Sequence, residues 1–134
     1  MRQVFENIFN LLRPGGTGLL VFMASDPGFD AYRLLAAMPR YQPYMKDVDR
    51  YIPAFQHIER QRETLKTLLK NVGFDVPHCS RRERSFVFHT PDILIKYILA
   101  VNPFIERMPT DLKEEYTKDL IKEIAKQKII FNKN

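Results

Sequence analysis

His57, His78, His89 and Cys79 are the side chains of this sequence best suited to binding a metal, moving a proton or attacking a carbon. Their spacing supports none of these roles. No pair among them has metal-ligand spacing. His78 and Cys79 are neighbours in an expected strand, so their side chains point to opposite faces. A zinc site needs three or four convergent ligands. Cys79 has no visible base, and Ser25, Ser80 and Ser85 lack the G-x-S-x-G turn that exposes a hydrolase nucleophile. No catalytic, cofactor-binding or metal residue is assigned.

The most concentrated feature is aromatic. Phe29, Tyr32, Tyr41, Tyr44 and Met45, with Tyr51 and Phe55, crowd a stretch broken by Pro39 and Pro43. Such side chains either pack on one another as an ordinary core or line an apolar pocket, where tyrosine hydroxyls supply the few polar groups. Phe29, Tyr32, Tyr41, Tyr44 and Met45 are the candidate substrate-binding residues. Arg81, Arg82 and Arg84 suit a phosphate, but a turn of alternating charge is more often simply solvated. Lys113, Lys118, Lys122 and Lys126 are interleaved with Glu114, Glu115 and Glu123, an ordinary surface face rather than a nucleic-acid stripe.

The elements that must position these residues fit one domain of 134 residues, 45% hydrophobic. The net charge of +5 is dispersed, so an RNA or membrane-surface binder ranks last among the function classes. No apolar run approaches the roughly 20 residues that span a bilayer. The N-terminus enters a helical pattern without a signal peptide, and the single cysteine fits a reducing, cytoplasmic setting.

Periodicity predicts a helix over 2–13 through Phe5, Ile8, Phe9 and Leu12, stopped by Pro14 and the Gly15–Gly16 turn. Its start lacks an N-cap residue, as if the chain began inside a larger domain. Thr17–Ala24 reads as a strand buried on both faces, 25–55 as short helical pieces forming a lid, and 58–72 as a helix closed by Gly73. Residues 74–80 read as an edge strand because of Pro77, and 85–89 as a second, more interior strand. Thr90-Pro91 caps a helix whose apolar face is Ile93, Leu94, Tyr97, Ile98 and Val101. A last helix starts at Pro109-Thr110-Asp111, with Leu112, Tyr116, Leu120 (or Ile121) and Ile124 inward, and residues beyond Lys128 are expected to fray.

Several strings taken in order resemble one family. They are Phe5-Glu6-Asn7-Ile8 before Leu11-Leu12-Arg13-Pro14-Gly15-Gly16, Tyr44-Met45-Lys46-Asp47-Val48, Leu68-Leu69 with Gly73-Phe74, and Ser85-Phe86-Val87-Phe88. The longest is Ala100-Val101-Asn102-Pro103-Phe104-Ile105-Glu106-Arg107-Met108-Pro109. On these the chain resembles the C-terminal half of the class I S-adenosylmethionine-dependent methyltransferases, and within them the juvenile hormone acid methyltransferases. Tyr41 stands where family members tend to carry tryptophan, and Ile52-Pro53-Ala54-Phe55 where they tend to read Ser-Pro-Tyr.

The resemblance implies an α/β, Rossmann-like fold cut in half. The expected parts are a helix and central strand over 1–24, a lid insertion over 25–55, a helix and β-hairpin over 56–90, and C-terminal helices over 91–130. In that sheet 17–24 would be the fifth strand, with the hairpin's later strand between it and the earlier one. It also implies methyl transfer to the carboxylate of an apolar isoprenoid or fatty acid, a nucleophile already ionised near pH 7 and needing no general base. S-adenosylmethionine would be the co-substrate. The Gly-rich turn and acidic residue that hold it in the family are absent, so the chain reads as a fragment, inactive alone and completed by an N-terminal half. Without that half the apolar 17–24 edge invites self-association. The alternative is a non-catalytic paralogue that binds an apolar ligand or a protein partner.

Overall fold

The computed structural model describes residues 1–127, and every regular element in them is helical. Five α-helices follow in order: α1 (Arg2–Leu11), α2 (Gly28–Ala36), α3 (Gln61–Val72), α4 (Pro91–Ala100) and α5 (Thr110–Lys126). Short 3₁₀ turns occupy Gln42–Tyr44, Val48–Tyr51 and Ile105–Arg107. The fraying expected beyond Lys128 lies outside the described residues.

The expected α/β fold is overturned. Among the described residues there is no strand, no ladder and no sheet. Residues 17–24, expected as the central parallel strand, run as irregular chain, and so do 74–80 and 85–89, expected as a hairpin. The physical reason is that a strand is completed by a neighbour's N–H and C=O groups, and an apolar run supplies only side chains. The faces of the run are not covered either: Leu19 is 88% exposed and Val21 86%. The half-Rossmann arrangement, its strand order and the sheet edge that 25–55 was to cover all go with it.

The chain divides into two compact units. The first comprises Met1–Ala24 and Ala54–Ser85. Here α1 packs on α3. Phe9 meets Phe74 edge-on, ring centroids 5.0 Å apart. Helix α1 stops at Leu11, two residues early, where the Leu12 N–H closes on the Ile8 and Phe9 carbonyls ahead of Pro14. Helix α3 starts three residues later than its periodicity suggests, because Phe55–Ile58 forms a turn. It ends as expected at Gly73, whose φ of +120° is a conformation that side chains rarely adopt. Buried Gln61 bridges the unit: its Nε2 donates to the Phe55 carbonyl at 2.7 Å, and its Oε1 accepts from Arg81 Nε at 2.7 Å. Arg62 Nε donates to the Cys79 carbonyl at 2.9 Å. Side-chain ties of this kind, rather than a ladder, bind the 74–85 segment to α3.

The second unit comprises Ser25–Pro53 and Phe86–Asn134. Its core joins Ala31, Tyr32 and Leu35 of α2 with Tyr41, Met45, Ile98, Phe104 and Met108, and with Tyr116 and Leu120 of α5. The Asp26 carboxylate accepts from the Gly28 N–H at 2.7 Å where α2 begins. Thr90 caps α4 by accepting from the Ile93 N–H at 3.3 Å. Of the apolar face expected on α4, only Ile98 is buried, whereas α5 turns Tyr116 and Leu120 inward as its spacing predicts.

Candidate functional site

All five residues singled out as substrate-binding lie in the second unit. Tyr32, Tyr41 and Met45 are buried in its core, and Phe29 and Tyr44 are half-buried against it. Tyr32 stands edge-on to Phe104 with centroids 5.4 Å apart, and Tyr41 edge-on to Tyr116 at 5.1 Å. The Tyr41 hydroxyl donates to Asp119 Oδ2 at 2.8 Å, and Arg40 pairs with both Glu115 and Asp119. Burial pushes the phenol pKa values of Tyr32, Tyr41 and Tyr116 above their ordinary range.

Residues 102–108 fold around this aromatic group. Buried Asn102 uses its whole amide. Its Nδ2 donates to the Tyr116 hydroxyl at 3.0 Å, and its Oδ1 accepts from the Phe104 and Ile105 N–H groups at 2.9 and 3.0 Å. Pro103 keeps α4 from continuing. The turn that follows buries Phe104 and Met108 and projects Arg107 outward.

Arg107 reaches back to 44–51. Its Nη1 donates to Asp47 Oδ1 at 2.5 Å and to the Tyr44 carbonyl at 3.3 Å. Its Nη2 donates to Asp47 Oδ2 at 3.3 Å and to the Tyr51 hydroxyl at 2.8 Å. The guanidinium also lies 5.2 Å from the Phe104 ring centre and 5.5 Å from that of Tyr51, and those two rings meet edge-on at 5.2 Å. The hydrogen bonds from Arg107 hold the Asp47 carboxyl below the usual carboxylate range. Chemically the arrangement is a carboxylate fork set on an aromatic floor.

Asn102, Arg107, Asp47 and Phe104 were not singled out from sequence as site residues. They stood only within the strings that carry the family resemblance. Structure brings two of those strings together, 44–48 and 100–109.

The remaining candidates stay apart. His78 Nε2 lies 3.1 Å from Ser80 Oγ, and Arg81 is taken up by Gln61 and Glu83. No group of three or more His, Cys, Asp or Glu among the described residues is placed to hold a metal ion. No described helix is long and apolar enough to cross a membrane.

A depression of about 540 Å³ lies at the Pro-Gly-Gly turn of the first unit, lined by Leu11, Leu12, Arg13, Gly15, Gly16 and Thr17. It does not fit S-adenosylmethionine. The nucleoside's ribose hydroxyls and the ammonium of its amino-acid arm need acceptors, yet the lining has no carboxylate, and the Gly16 N–H is already given to the Arg13 carbonyl at 2.8 Å.

The chain is similar to two proteins named juvenile hormone acid O-methyltransferase. It is 34% identical to that of Drosophila melanogaster over 122 residues, which are 90% of this chain and 41% of the relative. It is 30% identical to that of Bombyx mori over 128 residues, 96% of this chain and 45% of the relative. The chain therefore spans less than half the length of the curated relatives it matches. No protein-family model and no solved structure matches it.

Proposed function

We propose, from the likeness to these two O-methyltransferases, that the chain is part of an S-adenosylmethionine-dependent enzyme that methylates the carboxylate of an apolar isoprenoid or fatty acid in the cytoplasm. The observation that carries this reading is similarity over nine-tenths or more of the chain. The meeting of 44–48 with 100–109 through Arg107 supports it. S-adenosylmethionine would supply an electrophilic methyl group, and its site would belong to residues outside this chain, since those here do not fit it. The acid's own carboxylate is the nucleophile and is ionised near pH 7, so the chain needs no general base. What the second unit contributes is shape: Tyr32, Tyr41 and Met45 fix the floor, and Phe29 and Tyr44 stand at its rim. Such a floor orients a substrate and excludes water from it.

A chimera tests the proposal. This sequence replaces the matching segment of the Bombyx mori relative, and the product is given S-adenosylmethionine with an isoprenoid acid or a fatty acid. Methyl ester is expected from the chimera and none from this chain alone. A folded chimera that forms no ester overturns the enzymatic reading. Micromolar binding of S-adenosylmethionine by this chain alone overturns the placing of the donor site elsewhere.

A second reading, a non-catalytic module for a protein partner, is favoured by one observation. Leu19, Leu20, Val21, Phe22 and Met23 present an uncharged, exposed apolar run whose backbone has no ladder partner among the described residues. The same run supports self-association of the chain, or its completion by an N-terminal half.

A further inference from the structure

All hydrogen bonds from 102–109 to 41–51 among the described residues are donated by Arg107. The backbone bonds of 41–51 are local, none reaching beyond the Met38 carbonyl. Tyr41 and Met45 anchor the start of the segment by burial and by the Tyr41 hydroxyl's bond to Asp119, and Tyr44 and Val48 pack against the core. The polar ties of 44–51 to the rest of the described unit are this guanidinium and an exposed Arg33–Asp49 pair. Arg107 in turn spends its fork on Asp47, a carboxylate carried by the segment it holds. Both partners are about one-third exposed, 35% and 31%, so a carboxylate in solution can reach the pair. Beneath it lie the Phe104 ring, covered by Tyr51, and the Tyr32 ring beyond.

We propose that Arg107 is a carboxylate subsite and that Asp47 holds its place as an internal carboxylate. The head of a long-chain apolar acid displaces Asp47 from the guanidinium, Tyr51 leaves the Phe104 ring, and the alkyl chain takes the face so uncovered. The choice of an apolar acid as occupant rests on the function proposed above. The choice of this place rests on the fork and its aromatic floor. A guanidinium matches a carboxylate with two parallel bonds, which a neutral ester cannot return with charge. Asp47 is tethered and therefore a strong competitor. The acid's advantage is the apolar surface that its chain buries and that Asp47 lacks.

Calorimetric titration of the 134-residue chain with a fatty acid and with its methyl ester, both below micellar concentration, tests this. The acid is expected to bind more tightly than the ester by about tenfold, the difference between charged and neutral acceptors. Asp47→Asn removes the competitor and should tighten the acid about tenfold while leaving the ester unchanged. Arg107→Lys keeps the charge but loses the fork, and should weaken the acid about tenfold. Arg107→Gln should bind acid and ester alike. Circular dichroism of each variant shows whether it is folded. If Arg107→Gln is not, Asp47→Asn and Arg107→Lys decide. The proposal is overturned if acid and ester bind the parent chain alike, if neither binds the parent or Asp47→Asn, or if Asp47→Asn fails to tighten the acid. Failure of methyl transfer in the chimera is a separate readout and leaves these affinities standing.

Discussion

The Asn102 amide and the Tyr116 hydroxyl, 3.0 Å apart in the core of the second unit, join the end of α4 to the middle of α5. The other end of the same amide holds two backbone N–H groups of the turn that presents Arg107. A single small side chain thus ties the chain just after α4 to α5 and braces the turn that presents the guanidinium.

Asn102→Ala leaves two backbone donors without their acceptor inside the protein. A buried polar group without a partner costs about 1–3 kcal/mol, so a loss of about 2–4 kcal/mol is expected in urea unfolding. Tyr116→Phe keeps the turn's donors paired and takes the acceptor from one donor, the Asn102 Nδ2, so it should cost less, about 1–2 kcal/mol. Equal losses from the two substitutions would contradict this division of labour.

Three of the six tyrosines, Tyr32, Tyr41 and Tyr116, hold their protons beyond the ordinary phenol range. Burial is the main cause in each, and Asp119 adds to it at Tyr41. A folded pKa above the unfolded value means that the unfolded chain releases protons first as pH rises. Their contribution to stability is full below about pH 10 and is lost above it. Absorbance titration of the phenolates should show these three ionising only together with alkaline unfolding, as followed by far-ultraviolet circular dichroism. Ionisation of all six before the helical signal falls would refute the burial described.

Gly73→Ala places a side chain at φ +120° and a methyl carbon 3.0 Å from Phe9 Cζ. Strain of this sort costs about 1–3 kcal/mol. Adding Phe9→Ala relieves the contact but not the dihedral, so it should not restore the parent's stability. A Gly73→Ala chain as stable as the parent to heat would show that the α3 terminus is not held in that conformation.

Leu19→Lys with Val21→Lys charges the exposed run. The parent chain should self-associate with concentration in sedimentation velocity, and the double variant should sediment as a monomer, because charge on an unpaired segment opposes stacking of like segments. A parent that stays monomeric throughout removes the apolar run as an association surface.

How much of this was legible in the sequence depends on the range of the interaction. Helix ends were legible because a cap is local: Pro14 after α1, Gly73 after α3, and Thr90 before Pro91 each act on backbone within four residues. The crowding of Phe29, Tyr32, Tyr41, Tyr44 and Met45 was visible too, and composition alone marked them as core or pocket. Which of them packs inward is decided by Phe104, brought up in the turn after α4, and by Tyr116 and Leu120 of α5.

The strands show the opposite case. Leu19–Ala24 has a strand's composition, but its hydrogen bonds require a partner that the pattern cannot name, and among the described residues none is present. Arg107 and Asp47 were equally silent, since each looks like an ordinary surface charge until the chain folds back across a separation of 60 positions and the two meet. What the sequence determined by itself was which stretches turn helical and, to within two or three residues, where they begin and end, through steric and capping effects that act within one turn. What only the tertiary structure decided was which aromatic rings lie inside and which carboxylate the guanidinium holds, because packing and ion pairing depend on neighbours in space.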